Sequence, residues 1–142
     1  TSQPSRDNGG EDSVSLLPVF EGKPKTERAY LVSHSVNGSF AIRKGNWKLL
    51  MCPGSGGWST PRPRSAWKDK NLHPVQLYDL AADPAETNNL ATKHPDQVKS
   101  LMKLLLTAIN NGRSTPGKPQ PNDGDIPAFH KRIKEAYPDI MK

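Results

Sequence analysis

A single cysteine, Cys52, is all the thiol chemistry this chain holds. No intrachain disulfide is possible, and cysteine usage does not point to a redox compartment. Aromatic residues make up 6% of the chain and hydrophobic residues 33%. The core is therefore modest. No apolar run approaches the roughly 20 residues that a membrane-spanning helix needs, so no membrane partner is expected. The first ten residues are polar and do not form a signal peptide. The chain begins at Thr1 without Met, so a fragment or a processed product is expected. There is no long block of like charge and no nucleic-acid-binding motif.

Loop-forming residues and positive charge are plentiful. The 142 residues include 14 prolines and 11 glycines. That length allows at most one domain. The formal charge is +6 and the isoelectric point about 9.6. Such a balance suits an anionic partner: nucleic acid, a sulfated or phosphorylated sugar, or an acidic neighbouring domain. Because the charges are dispersed, a merely solvated basic surface fits equally well.

Short strands dominate the first half. Residues 28–35, Phe40–Arg43, Trp47–Met51 and Val75–Leu80 each read as a strand. Asn37-Gly38 between the first two is a strong hairpin signal, and Lys44-Gly45-Asn46 turns the second into the third. These local connections imply an antiparallel sheet. Ser15–Phe20 is an apolar patch too short to stand alone. Residues 95–111 carry the clearest helix. Pro95 suits its first turn, Asp96 complements its dipole, and Val98, Leu101, Met102, Leu105 and Ile109 define one apolar face. Leu104 and Leu106 widen that face, and Gly112 fits the helix end. Residues 113–125 read as extended or coil. A second helix is expected over 127–137, with Phe129, Ile133 and Tyr137 four residues apart. The fold class expected is α+β: a four-stranded antiparallel sheet packed against a long C-terminal helix.

The most informative string is Gln76-Leu77-Tyr78-Asp79-Leu80 followed by Asp83-Pro84-Ala85-Glu86-Thr87-Asn88-Asn89-Leu90. It predicts a strand, a turn and a capped helical turn. Asp83 would cap, Pro84 would take the first helical position, and Glu86 has the spacing of a capping box. The whole string "QLYDLAADPAETNNL" resembles the C-terminal subdomain of the type I sulfatases of the alkaline-phosphatase-like fold. Further strings agree in order and spacing: "VSHSVNGSFAIRKGNWKLL" at 32–50, "PGSGGWS" at 53–59 and "NNGRSTPG" at 110–117. Residues 12–22 are similar to the family's "D-S-x-S-L-L-P-x-x-x-G" handover segment. The resemblance covers residues 12–125. It implies a linker from a missing catalytic domain at 1–27, the α+β subdomain at 28–125 and a short helical tail at 126–142.

The family hydrolyses sulfate esters with a formylglycine nucleophile beside a calcium ion. The resemblance places both cofactors in the missing domain, and none is expected in this chain. Cys52 sits in Cys-Pro-Gly-Ser-Gly, where Pro follows directly instead of two residues later and no Arg takes the fifth position of the formylglycine motif. No catalytic residue and no metal ligand are therefore assigned, and the chain alone is expected to be inactive. The candidates for substrate binding are His34, Ser35, Trp58, Arg62, Arg64 and Arg113. His34 and Ser35 end the first strand, either as a hydrogen-bonded turn or at a cleft rim. The 53–74 connection is long for a loop without internal structure. Its Gly54, Gly56 and Gly57 can form an anion-binding concavity, and Trp58 and Trp67 can stack on sugar rings. The alternative is a plain connector, or one that packs on the catalytic domain. Arg113 would reach an anionic ligand or a partner carboxylate, or simply face solvent. Asn37-Gly38-Ser39 also satisfies the glycosylation sequon, although the hairpin explains it better.

The family context implies a sulfated small molecule or glycan as substrate, the catalytic domain as partner, and a periplasmic or secreted location. The alternative is a stand-alone, non-catalytic module that binds sulfated glycans or other polyanions. A nucleic-acid binder rests on charge alone.

Overall fold

The structure, a computed structural model, describes residues 9–24, 28–122, 124 and 129–141. Its elements in chain order are α1 (Leu17–Phe20), β1 (Leu31–His34), β2 (Phe40–Lys44), β3 (Trp47–Leu50), α2 (Pro63–Lys68), β4 (Gln76–Asp79), α3 (Pro95–Asn110) and α4 (Lys131–Ala136). The strands form one antiparallel sheet in the order β1-β2-β3-β4, the α+β arrangement expected. In the first hairpin, the Ser35 N–H donates to Ser39 O and the Gly38 N–H to Ser35 O. Gly38 has φ 73°, a left-handed conformation that glycine adopts without the usual Cβ penalty.

Strand alternation sorts the sheet into two faces. One row runs across all four strands through Val32, Ile42, Leu49 and Leu77. Ile42, Leu49 and Leu77 are fully buried. They join Val98, Leu101, Met102, Leu105 and Ile109 of α3 in one core, with Leu104 and Leu106 packed at its edge. The 3.6-residue period of α3 therefore meets the two-residue period of the sheet along this row. Pro95 starts α3 as expected, and Gly112 follows its end, donating to Ile109 O. Ile133 and Tyr137 belong to the same core, so α4 is built into the packing. Residues 127 and 128, the start expected for that helix, lie outside the described residues.

Two local expectations need correction. The 53–74 connection is not free of structure, because it contains α2 and a cis Thr60–Pro61 peptide. Residues 83–90 also do not form a helical turn. Asp83 does cap, accepting the Asn88 N–H at 2.8 Å and the Thr87 hydroxyl at 3.0 Å. Those donors, the backbone N–H groups first, hold its carboxyl below the usual range. Glu86, however, turns left-handed at φ 56° and sends its carboxylate to Lys48 at 2.6 Å. Residues in that conformation do not continue a right-handed helix. A half-buried cation on β3 thus outcompetes the capping box.

Asn89 seals the outer edge of β4. Its Oδ1 accepts from the Leu77 and Ala91 N–H groups, and its Nδ2 donates to Val75 O. The Leu90 N–H adds a bond to Leu77 O. This is a side chain standing in for a fifth strand. Asn89→Ala removes three bonds at roughly 1 kcal/mol each. It should cost about 2–3 kcal/mol in a denaturant titration, whereas Asn88→Ala, with an exposed side chain, should change stability by less than about 0.5 kcal/mol. Equal effects of the two changes would contradict this account.

Candidate functional site

The connection between β3 and β4 opens with a tightly held segment. Met51, Cys52, Pro53, Gly54 and Gly56 are buried. Gln76, at the start of β4, donates its Nε2 to both Cys52 O and Gly54 O, each at 2.8 Å. The Tyr78 hydroxyl donates to Gln76 Oε1 at 2.8 Å and fixes the amide's orientation. Burial, and next the Glu86 carboxylate, push the Tyr78 phenol up, so it keeps this proton. Cys52 donates its Sγ–H to Gly54 O, and burial raises its thiol above the ordinary value. It is an inert structural thiol.

Gly54 is required by close approach. A Cβ there would lie 2.7 Å from the Ala66 Cβ and 2.7 Å from Pro61 O. This contact brings α2 against the glycine-rich segment. Gly54→Ala should therefore displace α2 and cost about 1–3 kcal/mol, measured by thermal unfolding. An unchanged midpoint would show that the contact carries no packing.

Beyond this anchored base the chain turns outward. Trp58 is 82% exposed. Arg62 and Arg64 are exposed at the start of α2 and form no ion pair among the described residues. Trp67, in contrast, is partly buried against the core. It stacks on His130 at 3.9 Å between centroids with planes 13° apart. Arg132 donates to Trp67 O, Asp69 O and Leu72 O at 2.5–3.1 Å. The C-terminal helix thereby grips the far half of the connection.

The remaining candidates fall into different places. Ser35 Oγ accepts from the Ser39 N–H and would lie 3.7 Å from a Cβ on Gly56, so it faces the glycine-rich segment. His34 turns the other way, edge-on to Phe40, with Nδ1 3.1 Å from Ser35 O. It lines a cavity of about 440 Å³ together with Arg28, Arg113, Asp12 and Ser114. Arg113 spends its guanidinium on Thr115 O, the Thr115 hydroxyl, Pro116 O and Lys118 O. It organises the loop that follows α3. Trp58, Arg62 and Arg64 do not line this cavity. The structure therefore groups Ser35 with the 52–57 segment and His34 with Arg113.

Sequence reasoning missed Gln76, Arg132 and His130 as positioning groups. Gln76 sat in the most informative string, but its partners lie 22 and 24 residues upstream. Arg132 acts across 60 to 65 residues. Neither spacing leaves a local signal.

The residues present do not fit the family's cofactors. Among the described residues, no group of three or more His, Cys, Asp or Glu side chains can hold a metal ion. Cys52 is buried and in the wrong motif for formylglycine. No chemical step is assigned to either group here.

Comparison with known proteins places this geometry. No protein-family model matches the chain. It is 38% identical to an N-acetylgalactosamine-6-O-sulfatase of Bacteroides thetaiotaomicron over 72% of this chain and 20% of that protein. It is 30% identical to a choline-sulfatase of Rhizobium meliloti over 88% of this chain and 20% of that protein. A solved sulfatase structure from a Bacteroides thetaiotaomicron locus for metabolism of multiple glycosaminoglycans matches with a TM-score of 0.55 and 35% identity, over 75% of this chain and 22% of that one. This chain matches the C-terminal part of sulfatases. It spans about a fifth of the length of the curated sulfatases it matches. No described helix is long and apolar enough to cross a membrane.

The Trp67–His130 stack has a pH consequence. Burial, and next the neighbouring Arg132 and Lys131 charges, lower the His130 pKa, with Glu135 opposing. The unfolded chain then binds a proton more readily than the folded one. This contribution is complete above the ordinary histidine value near 6.5 and is lost as pH falls through it toward the lowered value. Asn can keep the cap that His130 provides to the Arg132 N–H. His130→Asn should therefore narrow its stability gap to the parent as pH drops from about 7 to 5. A gap constant across that range would refute the link.

Proposed function

We propose that this chain is the C-terminal α+β part of a sulfatase, completing the active-site cleft of a preceding catalytic domain and helping to select a sulfated substrate. The observation that carries the reading is Trp58: a large aromatic, 82% exposed, projecting from a segment whose base is clamped by Gln76. An exposed aromatic on a fixed base, followed in the chain by the exposed Arg62 and Arg64, suits a sugar ring bearing an anionic group. His34, Ser35 and Arg113 are candidates for further contacts from the two neighbouring positions. The relatives' names include a sulfatase of a sulfated amino sugar, which supports a carbohydrate sulfate or other sulfated small molecule as the substrate.

The partner surface follows from α1. Leu16, Leu17, Val19 and Phe20 are 45–81% exposed, and α1 buries none of its residues. Such a patch suits cover by a partner. Residues 1–27 then form the handover from the catalytic domain, which would carry the calcium and the formylglycine. A periplasmic or secreted location accompanies this reading.

Trp58 and the exposed arginines also favour a second reading, a stand-alone module that binds sulfated glycans or other polyanions without catalysis. Two measurements separate the readings. In the complete sulfatase carrying this chain, Trp58→Ala should raise KM for the sulfated substrate about tenfold, the equivalent of about 1.4 kcal/mol, with kcat within about twofold. The purified 142-residue chain should hydrolyse no sulfate ester. Unchanged kinetics in both Trp58→Ala and Arg62→Ala/Arg64→Ala would overturn the cleft role. Salt-dependent binding of heparin by the chain alone, lost in Trp58→Ala/Arg62→Ala, would favour the module instead.

A further inference from the structure

We propose that Arg132 of α4 is a positioning residue for the substrate-facing loop, holding α2 and the residues after it so that Arg62 and Arg64 point outward in one fixed orientation. The proposal rests on the reading of that loop as substrate-facing. It adds a residue from the far end of the chain, beyond the segment whose motifs resemble sulfatases.

The geometry is specific to arginine. Nη1 donates to Trp67 O at 3.1 Å and Asp69 O at 2.9 Å, and Nη2 donates to Leu72 O at 2.5 Å. Trp67 lies in the last turn of α2, and Asp69 caps it. A planar guanidinium with a fixed fork of donors satisfies three carbonyls that converge from different directions. Its charge also complements the negative end of a helix, even a short one. α2 itself has only six residues and no side-chain cap at its N-terminus. A helix of that length has little stability of its own, so it depends on contacts from outside.

Two such contacts exist at its C-terminal half: the Arg132 fork and the Trp67–His130 stack. Both come from the start of α4. That helix is in turn anchored in the core by Ile133, 1% exposed, and Tyr137, 8% exposed. Positioning therefore runs from the core through Ile133 to Arg132, and from Arg132 to α2. Gly54 adds a third contact, approaching Ala66 in the same half of the helix and Pro61 O just before it. The other bonds of residues 69–72 are local: the Asp69 N–H to Ser65 O of α2, the Leu72 N–H to Asp69 O and the Asn71 N–H to Asp69 Oδ1.

The test uses the complete sulfatase with Arg132→Ala and Arg132→Lys, each compared with Trp58→Ala. Lysine keeps the charge but gathers its three donors on one nitrogen, without the planar fork, so it should not rescue the site. Both Arg132 variants should increase amide hydrogen exchange in residues 62–72 about tenfold while exchange in α3 stays unchanged. Both should raise KM for the sulfated substrate about three- to tenfold, with kcat within twofold. Unchanged exchange in 62–72 would overturn the proposal even if Trp58→Ala still raises KM. Raised exchange with unchanged KM in the Arg132 variants, while Trp58→Ala still raises KM, would overturn the role of Arg132 in selection but leave the cleft reading standing. Unchanged KM in all three variants would overturn this proposal, and together with unchanged KM in Arg62→Ala/Arg64→Ala it would overturn the cleft reading as well. Raised exchange spread equally over α3 would show a general packing role and also overturn the proposal.

Discussion

The amide of Gln76 is the constraint on which the exposed part of this structure depends. One Nε2 group bridges two carbonyls of the glycine-rich segment, and one phenol holds the amide in place. A buried carbonyl without a partner is expensive. If the side chain left, the Cys52 carbonyl would bear that cost, and Gly54 O would keep only the weak Cys52 thiol donor. The sheet, which is rigid because α3 and the core row hold it, thereby passes its rigidity to a loop with no regular structure of its own. Trp58 is exposed at the surface, but the chain that carries it is not loose.

The architecture divides labour between its two ends. The middle of the chain builds the sheet and α3. The ends return to it: residues 11 and 12 accept bonds from Thr115 and Ser114 beyond α3, and α4 returns to grip α2. Each return is made by polar bonds at its tip and apolar burial behind. α1 is the exception, since its apolar side chains find no cover among the described residues.

How much of this was legible beforehand depends on the range of the interaction. The Asn37-Gly38 hairpin, the order of β1 to β3 and the apolar face of α3 are set by neighbours close in the chain, and the sequence shows them directly. The string around residues 76–90 disclosed a family, and the structure then gave its letters separate jobs: Gln76 clamps a loop, Asn89 seals an edge, Glu86 answers Lys48. The capping box failed for the same reason that Arg132 was missed. In each case a partner 38 or more residues away decided the outcome. Local spacing carries no trace of such a partner. Arg113 was legible as a cation after a helix, but its carbonyl acceptors were not. The glycines and prolines of 53–74 hid a short helix because it is stabilised from outside.

The sealed edge of β4 gives the sheet a direction. Asn89 and Leu90 occupy the bonding groups on that side, while β1 at the other side pairs with β2 alone. Among the described residues, the edge left for a further strand is β1. Two copies meeting there would leave only sealed edges outward, so growth by edge pairing ends at two. A single asparagine thus separates a sheet that can accept one guest from one that can polymerise.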